Sequence, residues 1–87
     1  MKKFEWSDSK SSANFQKHGI DFQQAAKVFS DVRAFTYVSS VASGEERLVT
    51  IGQLDGRLVA VVHVRRNDKT RIISARRARK NERAWYG

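Results

Sequence analysis

The chain contains no cysteine and no proline. Without thiols there is no disulfide framework and no thiolate metal site, and nothing calls for an oxidising compartment. Its five glycines are scattered, so no glycine-rich phosphate loop exists. The two histidines, His18 and His63, are not at metal-ligand spacing. Glu45 and Glu46 are adjacent and would point to opposite faces of a strand. Convergent carboxylates of the kind a metal-dependent nuclease needs are therefore not expected. No apolar run approaches the roughly 18 residues of a membrane span. Residues 1–6 hold two lysines with no apolar stretch behind them, which does not fit a secretory signal. The expectation is a cytoplasmic protein with no cofactor, no metal and no membrane contact.

Positive charge is what the chain has in excess. Its 87 residues carry 17 Lys and Arg against 9 Asp and Glu, a net of +8. Residues 1–64 hold 8 basic and 7 acidic side chains, a net of +1; residues 65–87 hold 9 and 2, a net of +7. Charge concentrated in this way implies an acidic partner: nucleic acid, an anionic membrane surface or an acidic protein. Composition alone does not choose among them. The length allows one domain, residues 1–87, burying about 60–65% of its unfolded surface. Hydrophobic content of 40% and charged content of 30% suit a folded domain.

Polar and aromatic residues alternate over 3–6, which predicts a short strand. Ser7 or Asp8 can cap a helix running to about Lys17, and Lys17-His18-Gly19 is a stop signal. Asp21, with Gln24 three residues on, opens a second helix as a capping box. Phe22, Ala25, Ala26 and Phe29 give that helix one apolar stripe. From Ala34 the period changes to two. Strands are predicted at 34–38, 46–52, 57–65 and 71–75, with a polar loop at 39–44 and turns at Asp55-Gly56 and Asn67-Asp68. Leu58 to Val62 is almost continuously apolar, so its strand should lie centrally. A short basic helix is predicted over 77–86. The fold class is α+β: an antiparallel sheet of about four strands, two N-terminal helices on one face, a short C-terminal helix, and the other face open to solvent or ligand.

With no ion and no phosphate loop, chemistry falls to basic residues on the sheet. Unbroken alternation puts Arg71, Ile73 and Ala75 on one face of the last strand and Ile72, Ser74 and Arg76 on the other. His63 shares a face of its strand with Val59, Val61 and Arg65. An open face holding His63, Arg65 and a last-strand arginine would bind phosphates and stabilise a pentacovalent phosphorane. A histidine there would act as general acid or base; the other reading is a structural histidine inside an apolar strand. Glu46-Arg47 reads either as an edge-strand pair or as part of the site. Lys80 and Arg83 lie on an exposed helix face, where Arg79 and Glu82 fit surface pairing. Trp85 reads as an anchor for the last helix or as a stacking surface for a base.

Three strings, in order and at matching spacings, are similar to one family. They are Phe4-Glu5-Trp6 with Asn14-x-x-Lys17-His18-Gly19-Ile20-x-Phe22-x-x-Ala25; Gly44-Glu45-Glu46-Arg47 with Ile51-Gly52; and Arg71-Ile72-Ile73-Ser74-Ala75-Arg76-Arg77-Ala78 with Glu82-Arg83. Together they resemble the BrnT toxins of bacterial type II toxin–antitoxin pairs. The resemblance implies a RelE-like fold and a metal-independent ribonuclease that inhibits translation. It implies a cognate BrnA-like antitoxin, and operator DNA bound only through the toxin–antitoxin complex. Cleavage would use the substrate's own 2′-hydroxyl, with basic side chains supplying alignment and charge stabilisation. On this resemblance the catalytic candidates are Arg76, Arg71, His63, Glu46 and Arg47; the basic C-terminal quarter adds Arg65, Arg77, Lys80 and Arg83 as RNA-binding candidates. A rival reading is a non-catalytic nucleic-acid-binding module built on the same basic segment.

Overall fold

A computed structural model describes residues 3–86. The order is β1 (Phe4–Glu5), α1 (Asp8–His18), α2 (Phe22–Ala26), a 3₁₀ turn (Lys27–Ser30), β2 (Phe35–Ala42), β3 (Glu45–Leu54), β4 (Arg57–Arg66), β5 (Lys69–Arg77) and α3 (Lys80–Trp85). The sheet runs β1-β5-β4-β3-β2. It has five strands and is mixed, where about four antiparallel strands were expected. The difference is β1, which joins the edge parallel to β5. Two helical segments had to pass between β1 and the meander, and that leaves room for a parallel return.

β4 occupies the middle of the sheet, as its apolar run predicts, and Val59, Ala60 and Val61 are all buried. Each strand of the meander reverses through two residues at positive φ: Ser43-Gly44, Asp55-Gly56 and Asn67-Asp68. Such turns match the right-handed twist of the strands they join. β2 therefore continues to Ala42 through residues expected to be a loop, with a register shift between Val38 and Ser40. β5 likewise reaches Arg77, which pairs with Val59, and the Ala78 N–H donates to the Leu58 carbonyl at 3.0 Å. Helix α3 consequently starts at Lys80 rather than near Arg77.

One face of the sheet is covered by the N-terminal helices. Ser7 caps α1, and Gly19 at φ 75° ends it in the left-handed conformation. Asn14 is the pin. Its amide donates to the Ile20 carbonyl at 2.7 Å and to the Ala75 carbonyl at 2.9 Å, and its oxygen accepts from the Ala75 N–H at 3.2 Å. One buried side chain thus ties α1, the interhelical turn and β5 together. The capping box of Asp21 and Gln24 forms as expected. The second helix is shorter than its stripe suggests and tightens into the 3₁₀ turn after Ala26. Ile20, Phe22, Ala25 and Val28 pack on Val59, Val61, Ile72 and Ala75. Gly52 admits this close approach: a Cβ there would lie 2.8 Å from a Val28 methyl.

The opposite face is only partly open. Helix α3 folds back onto it, and Ala78 and Tyr86 close a second cluster over Val49, Ile51 and Ala60. The Tyr86 hydroxyl donates to Asp31, which also accepts the Gln53 N–H at 2.8 Å. Tyr86, not Trp85, is the apolar anchor, since Trp85 stays 55% exposed.

Candidate nucleic-acid interface

Register decides which arginines can meet. Val62 pairs with Ser74, yet His63 pairs with Ile72, so β5 carries one extra residue at Ile73. This bulge reverses the alternation beyond it. Ile72 turns into the helix-side core and is 1% exposed. Arg71, opposite Val64, turns onto the face that carries Arg76. Regular alternation had placed Arg71 and Arg76 on opposite faces; the inserted residue overturns that expectation.

The face away from α1 and α2 therefore carries Arg47, Arg66, Arg71 and Arg76. Lys10 reaches over from α1. Lys10, Arg47, Arg66 and Arg71 line a 190 Å³ concavity together with Val64 and Ile73. Two carboxylates border it. Glu45 is gripped by Arg66 through Nε at 2.8 Å and Nη2 at 3.0 Å. That pairing lowers the carboxyl's pKa and raises the guanidinium's. Glu5 meets Arg71 at 3.5 Å and Lys69 at 3.9 Å, both long contacts. Arg47 and Lys10 make no ion pair among the described residues. The concavity keeps an excess of positive charge directed at solvent.

Arg76 has a different environment. Its Nη1 and Nη2 donate to Glu82 Oε1 and Oε2 at 2.7 and 2.9 Å. Glu82 Oε1 also accepts the Arg79 N–H at 2.7 Å, and the Tyr37 hydroxyl donates to Oε2. The Glu82 side chain is wholly buried and that of Arg76 is 19% exposed. The paired guanidinium, aided by the Arg79 N–H and the Tyr37 hydroxyl and opposed by burial, holds the Glu82 carboxyl at about 2. Glu82 and Arg79 were expected to pair on the surface. Instead Glu82 turns inward and docks α3 on the sheet through Arg76.

His63 lies elsewhere. It is buried on the helix-covered side, with Nε2 2.8 Å from Thr50 Oγ1 and its ring centroid 5.0 Å from that of Phe29. The expected platform of His63, Arg65 and a last-strand arginine is not formed with Arg71 or Arg76. Arg65 and Glu46 face that same side, beyond the helices, around a separate shallow hollow with Leu48. Arg77 points to the far end of the helix side, near His18 and Asp55. Lys80 is exposed on α3, and Arg83 donates from Nη1 to the Ala78 carbonyl at 3.0 Å.

Lys10, Arg66, Tyr37 and the inward turn of Glu82 were not among the expected site residues. Glu82 had a signal: it is one of two acids in the strongly basic residues 65–87, and the other, Asp68, sits in a turn. Lys10 had none, because its role depends on where α1 lies against β5. Among the described residues, no three His, Asp or Glu side chains converge in a way that could hold a metal ion. No helix among them is long and apolar enough to cross a membrane.

A search of curated proteins finds no match to the chain. A family model, described as the ribonuclease toxin, BrnT, of type II toxin–antitoxin systems, does match it, over residues 6–82. That span runs from the end of β1 to the buried glutamate of α3, so it takes in the bulge, the basic concavity and the Arg76–Glu82 pair, and the chain belongs to the BrnT family of ribonuclease toxins.

Proposed function

We propose that the chain cleaves RNA without a metal ion, on the face that carries Arg47 and Arg71, and that an antitoxin silences it by covering that surface. The observation that carries the proposal is the convergence of Lys10, Arg47, Arg66 and Arg71 on one concavity, with Arg71 turned there by the Ile73 bulge. In the reaction the 2′-hydroxyl oxygen attacks the adjacent phosphorus and loses its proton. The bond to the 5′-oxygen breaks, and that oxygen takes up a proton. The products are a 2′,3′-cyclic phosphate and a 5′-hydroxyl. The phosphorane carries more negative charge than the substrate, so guanidinium groups held in place lower the barrier. Arg71 and Arg47 are the residues assigned to the phosphate. Arg76 acts through Glu82 by positioning α3. A toxin of this kind would inhibit translation in the cytoplasm, and with a BrnA-like antitoxin it would repress its own operon.

The experiment is expression in cells. Growth should arrest, and the combined Arg47→Ala and Arg71→Ala change should relieve the arrest while leaving the protein folded. Co-expression of the adjacent gene product should relieve it as well. Arrest that persists in the folded double variant would overturn the assignment. One observation favours the rival reading of binding without cleavage: His63 is buried beside Phe29 and away from the arginines. Steep salt dependence of binding with intact RNA would support that reading.

A further inference from the structure

We infer that Trp85 is a stacking platform for one base of a single-stranded RNA, next to the basic concavity; this rests on the preceding reading that the arginine face meets RNA. Trp85 is 55% exposed although it is the largest side chain of α3. It is nevertheless held in place. Its ring stands edge-on to Tyr37, with centroids 5.6 Å apart and planes at 84°. Tyr37 in turn donates its hydroxyl to Glu82, which Arg76 grips through both Nη atoms. An indole left in solvent yet fixed by a buried ion pair costs little further entropy when a flat ligand lands on it.

Its surroundings select the ligand. Arg79, Lys80 and Arg83 are exposed on and before α3, while the helix's one acid, Glu82, is buried and fully paired. An exposed indole on a short helix whose solvent-facing charges are all cationic suits a ligand that is both planar and anionic, which is a nucleotide. Position completes the case. Tyr37 pairs with Val49 and so shares a sheet face with Arg47, which follows two residues, about 7 Å, from Val49 along β3. A chain whose phosphates occupy the concavity can therefore set a neighbouring base on Trp85.

The probe is a short 2′-O-methyl RNA, which lacks the attacking hydroxyl, compared with the same oligonucleotide carrying abasic positions. In the unmodified protein, removing the bases should weaken binding about 5- to 150-fold. In Trp85→Ala that difference should shrink towards none, and Trp85→Phe should retain most of it. In a Trp6→Phe background, the fluorescence of Trp85 should be quenched by the base-containing oligonucleotide and not by the abasic one. If Trp85→Ala keeps the full preference for bases, or if binding leaves the fluorescence unchanged, Trp85 is not the platform and the arginine face stands. If neither oligonucleotide binds to any form of the protein, both readings fall.

Discussion

Val61 and Val62 are neighbours in β4, yet they belong to different chemistry. Val61 looks into the core beneath α2, on the side where His63 packs against Phe29 and bonds to Thr50. Val62 looks the other way, onto the face shared by Arg47, Arg71 and Arg76. The first face spends its polar groups on structure: Asn14, Thr50 and His63 are buried and bonded there. The second buries one ion pair, Arg76 with Glu82, and keeps the charges of Arg47, Arg66 and Arg71 at the surface. The comparison teaches that register, not residue type, decides which side chains share a face. The histidine, usually the first suspect, sits on the helix-covered side, and Arg71 and Arg76, which regular alternation would separate, share a face because of one inserted residue.

The sharpest way to break this division is to attack the link between α3 and the sheet. Glu82→Ala leaves Arg76 with a buried, unpaired charge, and should cost about 3–5 kcal/mol. Urea unfolding measures it, and a loss below about 1 kcal/mol would mean that the pair does not hold the helix. The same pair sets the acid limit. Glu82 titrates at about 2 when folded against a usual 4.5. A depressed carboxyl stabilises the fold above its unfolded pKa and loses that contribution as pH falls through the folded one. Stability should therefore drop by roughly 3 kcal/mol between about pH 4.5 and pH 2. Glu82→Gln, already destabilised at neutral pH, should flatten that dependence.

Next comes the division of labour itself. The combined Arg47→Ala and Arg71→Ala change should lower kcat/KM by about 10²–10³ at nearly unchanged Tm. His63→Gln should do the reverse, lowering stability by about 1–2 kcal/mol with cleavage per folded molecule unchanged. Activity lost in the folded His63 variant would erase the distinction between the faces. The smallest effect belongs to the rim. Glu45→Gln frees Arg66 and should tighten RNA binding by less than about fivefold, an effect that fades as salt rises. A titration of RNA binding at two ionic strengths reads it.

Much of the frame was legible before the coordinates. The Asp21 capping box, the Gly19 stop, the turns at Asp55-Gly56 and Asn67-Asp68, and the central place of Leu58 to Val62 all follow from local chemistry and pattern. The parallel pairing of β1 was not legible, because it depends on where a crossing chain returns. The bulge at Ile73 was hidden for a related reason: Arg71-Ile72-Ile73-Ser74 contains no glycine or proline to mark a break in period. Which face each arginine occupies depends on that single residue. Glu82 was read as a surface charge because spacing along a helix says nothing of what lies beneath it. Only the fold-back of α3 onto Arg76 determines that.

The central claim is that guanidinium groups on one sheet face, with no bound ion, break a phosphodiester. The most direct test incubates purified chain with single-stranded RNA in excess EDTA and identifies the ends. Products ending in 2′,3′-cyclic phosphate and 5′-hydroxyl, absent with the Arg47→Ala and Arg71→Ala variant, are the expected result. RNA that stays intact until a divalent cation is added, or fragments bearing 5′-phosphates, would contradict it.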